Sequence, residues 1–283
     1  MCSSDLVAAV GYAWARSGAA FDVRFVSMLV THVGTPCLVI DSLTKSTLSL
    51  AAFGKIGLAT ILCHGSALLF GYLFVRALRD SVPAFVPALA FPNTGNMGLP
   101  MALFAFGEPG LALAIAVYAT SSMIQFSVGE AIAAGGAKLS AILKLPVIWA
   151  VSFAIILALT GVKLPSIADR AVHILGGMMV PLMLLSLGYS IASLKTSSLG
   201  RAAVFSMARL FGGFAIGWGV ATLLGLEGAA RGVVVIQAAM PCAVFNYMFA
   251  ERYNNKPQEV AGLVVVSTLL SVLVLPFFLA SVI

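Results

Sequence analysis

Two short segments of this chain combine prolines, glycines and side-chain amides inside otherwise apolar sequence. The first is the run 91–100, written F-P-N-T-G-N-M-G-L-P, and the second is the run 237–247, which contains Pro241 and Asn246. A proline has no amide hydrogen, so each run leaves backbone carbonyls without a helical donor. Helix ends of this kind, together with amide side chains, can bind a small charged molecule without an ionised side chain.

These interruptions predict a binding site for an organic anion. The second half of each interrupted helix would begin with free N–H groups and a positive dipole end, which suit a carboxylate. The free carbonyls of the first halves could hold a cation or a proton-linked water. The alternative is that the prolines only kink packed helices. The residues that we expect to bind substrate are Pro92, Asn93, Thr94, Gly95, Asn96, Gly98, Gln125, Pro241, Asn246 and Ser267.

Three ionisable residues within or near the ends of apolar segments are candidates for coupling to a proton or another ion. His32 could carry a proton, since histidine side chains can change charge near neutral pH, or it could be a packing residue. Glu130 could pair with a basic residue or carry a proton. Arg209 lies one or two turns inside the end of its segment, where snorkelling to the interface is the favoured interpretation. The alternative is that Arg209 attracts an anionic substrate.

The composition shows what kind of element must position these residues. Of 283 residues, 61% are hydrophobic and 9% are charged, and the mean hydropathy is +1.07. A soluble domain has about a quarter charged residues, and a disordered chain has low hydrophobicity. Ten membrane-spanning helices would use roughly 200 residues. We therefore predict an all-α polytopic membrane protein without a separate soluble domain, cofactor or metal site.

The apolar runs predict ten spans, with the proline-rich interruptions inside spans 4 and 9. The first span has about half the length that a bilayer crossing requires. We therefore expect a truncated or misassigned start, with further apolar sequence before Met1, and the alternative is a short half-inserted helix. The predicted spans are 6–15, 22–43, 54–75, 82–107, 110–133, 142–161, 170–192, 202–224, 231–250 and 260–282.

We attribute the net charge of +6 to the orientation of the loops across the membrane and not to binding of a nucleic acid. The loops after odd-numbered spans carry ten Lys and Arg residues, and the loops after even-numbered spans carry five. Cytoplasmic loops are enriched in these residues. This distribution predicts that the odd loops face the cytoplasm and that both termini lie outside the plasma (inner) membrane.

The two halves of the chain match each other at a nearly constant offset. Each predicted half has five spans, an odd number, so the second half would enter the membrane inverted relative to the first. Residues 1–135 and 136–283 are therefore predicted to be inverted repeats, which are typical of secondary transporters with sites where helices break. The matched pairs, at offsets of 145 to 149, are Pro36 with Pro181, Gly71 with Gly217, Lys55 with Arg201, and Pro92 with Pro241.

The run 93–100 resembles the Asn-x-Gly-x-x-Gly-x-Pro segment of the auxin efflux carrier family, with a one-residue difference in spacing. The resemblance extends from about residue 6 to the end of the chain. Further matches are the Pro-Leu-x-Leu-x-x-x-Gly pattern at 181–188, the pair Met240-Pro241, and the pattern of Val264, Ser267, Thr268 and Ser271. Spans 5 and 6 are joined by only about ten residues, so the chain is similar to the compact bacterial branch.

The resemblance implies ten helices in two inverted sets of five, with scaffold and transport parts and with helices 4 and 9 crossed. It implies export or exchange of organic anions, which are auxin in plants and malate- or malonate-like dicarboxylates in bacterial relatives. It also implies that Asn93 and Asn96 bind substrate.

The leading hypothesis is a secondary active carrier of small organic anions, such as dicarboxylates or auxin-like acids, coupled to protons. The alternatives are a sodium-coupled symporter and a non-transporting membrane sensor. An intramembrane hydrolase is disfavoured because no nucleophile motif is present. The expected partners are the anion, a proton or sodium ion and the lipid bilayer. A homodimer is a candidate assembly, and no nucleic acid is expected.

Overall fold

The computed structural model describes residues 3–45, 50–134, 146–193 and 199–283, and these ranges are almost entirely helical. Three π-helical turns, Val30–Gly34, Thr94–Gly98 and Gln125–Gly129, continue or join α-helices. The α-helices are α1 (Ser3–Arg16), α2 (Val23–Leu29), α3 (Thr35–Lys45), α4 (Leu50–Ala77), α5 (Val82–Ala90), α6 (Leu99–Ile124), α7 (Glu130–Ala134), α8 (Pro146–Thr160), α9 (Ser166–Gly177), α10 (Met179–Ser193), α11 (Leu199–Leu223), α12 (Gly228–Ala238), α13 (Val244–Arg252) and α14 (Pro257–Ala280).

The prediction of an all-α membrane protein is confirmed for these ranges. Four helical segments within them are long and apolar enough to span a bilayer, namely 51–77, 94–134, 200–223 and 257–280. The bounds of the helices agree with those of the predicted spans to within a few residues. The predicted start of span 6 at residue 142 and the predicted repeat boundary at residues 135 and 136 lie outside the described residues.

Interruptions in the helices fall inside several of the predicted spans. Span 2 contains the π-helical turn Val30–Gly34, and span 7 is divided between α9 and α10 at Met178. Spans 4 and 9 are divided by the non-helical residues 91–93 and 240–243. Between predicted spans 4 and 5 the chain turns at Gly107, whose φ of 65° favours glycine.

The helices pack in two groups. Helices α1 to α3 pack with α8 to α10, and helices α4 to α7 pack with α11 to α14. The largest cluster of buried apolar side chains contains members of both groups, including Val39, Ile115 and Met179. Helix α10 also packs against the turn Thr94–Gly98, so this turn lies where the two groups meet.

Residues near the ends of odd-numbered spans come together at one end of the second group. The carboxylate of Asp80 lies 2.8 Å from Lys256 Nζ and 3.3 Å from Arg201 Nη1. Nearby in sequence, Arg252 Nη1 lies 2.9 Å from a carboxylate oxygen of Glu130. These contacts place Asp80, Glu130, Arg201 and the segment 252–256 at the same end of the second group, as an alternating topology requires.

The Asp80 ion pairs predict a pH-dependent stability. Loss of water raises the pKa of Asp80, but the hydrogen bonds from Lys256 and the Ser81 N–H and the charges of Lys256 and Arg201 lower it further, so the net pKa is below the ordinary value. The ionised carboxylate therefore stabilises the folded state above about pH 4, and this stabilisation is lost as the pH falls through the folded pKa. We expect Asp80→Asn to lower the melting temperature in detergent by a few degrees between pH 5 and 8, a loss of about 1 kcal/mol.

The matched control is Glu108→Gln, because Glu108 is an exposed carboxylate and its neutralisation should change the melting temperature little. The difference between wild type and Asp80→Asn should shrink as the pH falls below about 4, the ordinary pKa of an aspartate, because the folded pKa is lower still. A difference that does not shrink as the protein is acidified from about pH 5 would show that the Asp80 charge does not stabilise the fold.

Candidate functional site

The two interrupted helices meet at their breaks. Residues 91–93, which follow α5, run antiparallel to residues 241–243, which follow α12, with Pro92 opposite Cys242. The interrupted segments therefore join two half-helix pairs at one point, which we call the crossover (residues 91–93 and 240–243). Two backbone hydrogen bonds hold the crossover, from Asn93 N to Pro241 O at 2.8 Å and from Ala243 N to Phe91 O at 3.3 Å.

The first break is shorter than its proline- and glycine-rich sequence suggests. Helical geometry resumes at Thr94, and Gly98 N donates to Asn93 O at 3.0 Å, which closes the π-helical turn Thr94–Gly98. Gly98 serves close packing rather than backbone freedom, because a Cβ there would lie 2.1 Å from Gln237 Oε1. A Cβ on Gly95 would similarly lie 2.9 Å from the Tyr118 ring.

Asn93 and the turn that follows it form the part of the crossover with unused donors. Asn93 is 5% exposed, and among the described residues its Nδ2 atom has no hydrogen-bond partner. Thr94 is buried, whereas Gly95 and Asn96 are half-buried. The first N–H groups of a helix have no partner within the helix. The predicted anion-binding residues at 93–96 are therefore gathered at one helix start.

Three other predicted site residues hold the crossover together. Asn246 Nδ2 donates to Phe91 O at 3.0 Å, and Gln125 Nε2 donates to Asn246 Oδ1 at 3.3 Å. Ser267 Oγ accepts from Cys242 N at 3.1 Å. Buried backbone groups require such partners. The structure therefore assigns Asn246, Gln125 and Ser267 to supporting the breaks from neighbouring helices.

Arg209 is the buried charge of the crossover. Its side chain is 2% exposed, and its Nε donates to Met240 O at 3.2 Å. Its Nη1 and Nη2 atoms donate to Leu89 O and Ala238 O, at the ends of α5 and α12. The prediction that Arg209 snorkels to the interface is wrong, because two helix ends supply carbonyls that match its fork of donors.

The carbonyl of Gln237, whose helical donor Pro241 removes, accepts the N–H of Met240 at 3.3 Å. Gln237 was not among the predicted site residues, yet it is 1% exposed and both of its side-chain amide atoms lack a partner in the part of the chain that the structure describes. It borders a cavity of about 10 Å³ together with Thr94 and His64. That volume is near the smallest that holds a water molecule.

His64, which borders the same cavity, is a second residue that was not among the predicted site residues. Its Nδ1 donates to Thr60 O at 2.9 Å, and its Nε2 accepts from Ser121 Oγ at 2.9 Å. The offset of 145 that matches Pro36 with Pro181 also matches His64 with Arg209. The repeat register was therefore the signal that could have found it.

Two predicted coupling residues lie away from the crossover. His32 is exposed in the π-helical turn before α3, and its Nδ1 donates to Met28 O at 3.1 Å. Glu130 accepts hydrogen bonds from Arg252 at 2.9 Å and from the Tyr253 hydroxyl at 2.8 Å. Of the two roles predicted for Glu130, the structure shows the pairing with a basic residue.

Comparison with known proteins gives the family. Residues 135–279, just over half of the chain, match the family described as membrane transport protein. The chain belongs to this family, the auxin efflux carrier family of membrane transporters. The resemblance to this family that the sequence shows from about residue 6 to its end is thus confirmed as membership.

Relatives of this auxin efflux carrier family member include both compact and long proteins. An uncharacterized transporter of Methanothermobacter thermautotrophicus is 29% identical over 270 residues, which cover 91% of this chain and 88% of the relative. An uncharacterized transporter of Methanocaldococcus jannaschii is 26% identical over 270 residues, covering 89% and 87%. Auxin efflux carrier component 3a of Oryza sativa subsp. japonica is 31% identical over 114 residues, covering 39% of this chain and 18% of the relative.

The arrangement in this family member separates the two kinds of helix end at the crossover. The carbonyl ends of α5 and α12 are bonded by Arg209, whereas the N–H ends that follow Asn93 and Ala243 begin the second half-helices. A crossover of this kind can attract an anion with backbone dipoles and amides while its carbonyl ends stay neutralised.

Proposed function

We propose that this protein moves small organic anions, such as dicarboxylates or auxin-like acids, across the plasma (inner) membrane by secondary active transport. The observation that carries the proposal is the buried Asn93 amide at the start of a half-helix, whose Nδ2 donor has no partner among the residues that the structure describes. An unsatisfied buried donor costs about 1–3 kcal/mol. A carboxylate oxygen that arrives at Asn93 would remove that cost, so a ligand explains the donor better than packing does.

The electrostatics of the half-helix starts support an anion. The second half-helices begin after Asn93 and Ala243, and each start carries about half of a positive elementary charge. Together the two starts match about one carboxylate. Gly95 and Asn96 are half-buried in the turn that α10 packs against. We therefore propose that the substrate reaches Asn93 and Asn96 from the region between the two helix groups.

We further propose that the chain forms ten membrane helices in two inverted repeats, with the odd loops in the cytoplasm and both termini outside. The pairing of interruptions supports this arrangement, since spans 2 and 7 are interrupted and so are spans 4 and 9. In this proposal α1 to α3 and α8 to α10 form the scaffold part. The other helices form the transport part that contains the crossover.

The coupling ion that we propose is the proton, with sodium as the alternative. Three of the described carboxylates, Asp80, Glu130 and Glu259, pair with Arg or Lys residues at the loop end of the second helix group. A sodium site without carboxylates would need carbonyl and hydroxyl oxygens alone. Replacing an imposed pH gradient by a sodium gradient in vesicles separates the two, since only the pH gradient should drive accumulation.

The experiment for the proposed function is uptake of labelled malate, malonate and indole-3-acetate by liposomes that contain the purified protein. We expect saturable uptake of at least one anion by the wild type. Asn93→Ala should reduce uptake by about 10- to 100-fold, because a hydrogen bond to a charged group contributes about 1.5–3 kcal/mol.

The matched control is Asn254→Gly. Asn254 is exposed and has a φ of 53°, which glycine adopts freely, so this variant loses an asparagine without strain and should transport like the wild type. Uptake by Asn93→Ala equal to that of the wild type would refute the site, and no uptake of any anion by the wild type would refute the substrate class.

A further inference from the structure

Arg209 is a buried cation whose described partners are all backbone carbonyls. The ion pairs among the described residues join Asp41, Asp80, Glu130 and Glu259 to other cations, and Arg209 is not a member of any of them. A buried charge is costly unless something compensates it. The compensation here must come from the groups that Arg209 touches, which are Leu89 O, Ala238 O and Met240 O.

Two of those carbonyls lie at the negative ends of helices. Leu89 O lies in the last turn of α5, and Ala238 O is the last carbonyl of α12. Each helix carries about half of a negative elementary charge at its C-terminal end, so the two ends together compensate about one guanidinium. The charge of Arg209 is thus compensated by the two helix ends at the crossover. This compensation argues against a direct bond between Arg209 and an anionic substrate.

A glycine on the same helix leaves the space that this guanidinium occupies. Gly213 lies one turn after Arg209 on α11, and a Cβ at Gly213 would lie 2.6 Å from Arg209 Nη2 and 2.2 Å from Ala238 O. The missing side chain lets α11 approach the end of α12 closely enough for the guanidinium to reach both helix ends. The position of the cation is therefore built into the packing of α4, α5, α11 and α12.

In transporters with broken helices, half-helix C-terminal ends and unwound carbonyls are the groups that coordinate sodium ions. We propose that Arg209 is a built-in cation that takes the place of a coordinated sodium ion at the crossover. The carrier would therefore bind and move its anion without a sodium ion. The transport consequence rests on the proposed function, whereas the joining of the two carbonyl ends by Arg209 does not.

The test combines sodium replacement with chemical rescue. Wild-type uptake in liposomes should be unchanged when choline replaces sodium on both sides of the membrane. Arg209→Ala should lose at least about tenfold in uptake, equivalent to about 1.4 kcal/mol, and millimolar ethylguanidinium should restore a large part of it. Arg209→Lys should be intermediate, because a lysine keeps the charge but lacks the planar fork of donors.

Melting temperature in detergent provides a readout that does not depend on transport. Ethylguanidinium should raise the melting temperature of Arg209→Ala and leave that of the wild type unchanged. The control is Arg231→Ala, which removes an arginine that stacks over Trp218 at 4.3 Å and should respond to ethylguanidinium in neither assay.

The proposal is overturned if wild-type uptake requires sodium, or if Arg209→Ala transports and melts like the wild type. It is also overturned if ethylguanidinium improves neither the uptake nor the melting temperature of Arg209→Ala. A wild type that takes up none of the anions refutes the proposed function, and in that case the melting experiment alone decides the role of Arg209.

Discussion

Gly213→Ala should destabilise the protein and abolish most of its transport. The new Cβ would lie 2.2 Å from Ala238 O, a backbone atom at the end of α12 that cannot move aside as a flexible side chain can. Overpacking of this kind costs about 1–3 kcal/mol. The same Cβ would displace the guanidinium of Arg209, so the carbonyls of both half-helix ends would lose donors as well. We expect a fall of several degrees in the melting temperature in detergent and a lower yield of folded protein.

Gly219→Ala on the same helix is the matched control. A Cβ at Gly219 would meet no atom within 4 Å, and replacing a glycine by alanine inside a helix gains up to about 1 kcal/mol. The two alanine variants should therefore shift the melting temperature in opposite directions. Equal shifts would show that the close approach of α11 to α12 does not limit stability.

The crossing of the two broken helices could be predicted from the sequence because its cause is local. Pro92 and Pro241 each remove a backbone donor inside a long apolar run, and such a defect is tolerated only where protein surrounds it. The helix bounds followed from the same apolar runs. Membrane spans are among the elements that composition predicts best, since each must cover a fixed thickness of hydrocarbon.

The direction in which Arg209 points could not be predicted. Helix α11 is apolar around most of its circumference, so no polar face indicates which side meets the other helices. An arginine one or two turns from the end of such a helix can reach the interface or turn inward. The decision depends on the carbonyl ends of α5 and α12, which come from distant parts of the chain, and on the space left by Gly213.

The sequence predicted that asparagines near the breaks would be functional, but it could not predict which role each asparagine has. Asparagines near the breaks were expected to bind an anion, and Asn93 has an unused buried donor. Asn246 instead donates to a carbonyl of the opposite break. The difference arises because Phe91 O requires a donor once Pro92 interrupts the helix, and only the folded arrangement shows which amide supplies it.

Asn246→Asp should be the most damaging isosteric change in the second break. Aspartate cannot donate to Phe91 O as the amide does, so this buried carbonyl keeps only the hydrogen bond from Ala243 N at 3.3 Å, while Gln125 still donates to the remaining oxygen. An ionised carboxylate would also have to be buried, and burying a charge without a compensating partner costs several kcal/mol. The added negative charge would repel an anionic substrate. We expect at least about a hundredfold loss of uptake, equivalent to about 2.7 kcal/mol, and a marked fall in melting temperature.

The matched control is Asn255→Asp, which makes the same chemical change in a half-buried loop. Asn255 Nδ2 also donates to a backbone carbonyl, that of Ala133, at 2.7 Å. Water can replace the lost donor there and can solvate the new charge, so the effect should stay within about 1 kcal/mol. If both variants lose transport and melting temperature equally, the loss comes from the missing hydrogen bond alone. A large effect confined to Asn246→Asp would show that the crossover tolerates neither the loss of the Asn246 donor nor a fixed negative charge, as a site that receives its anion from outside requires.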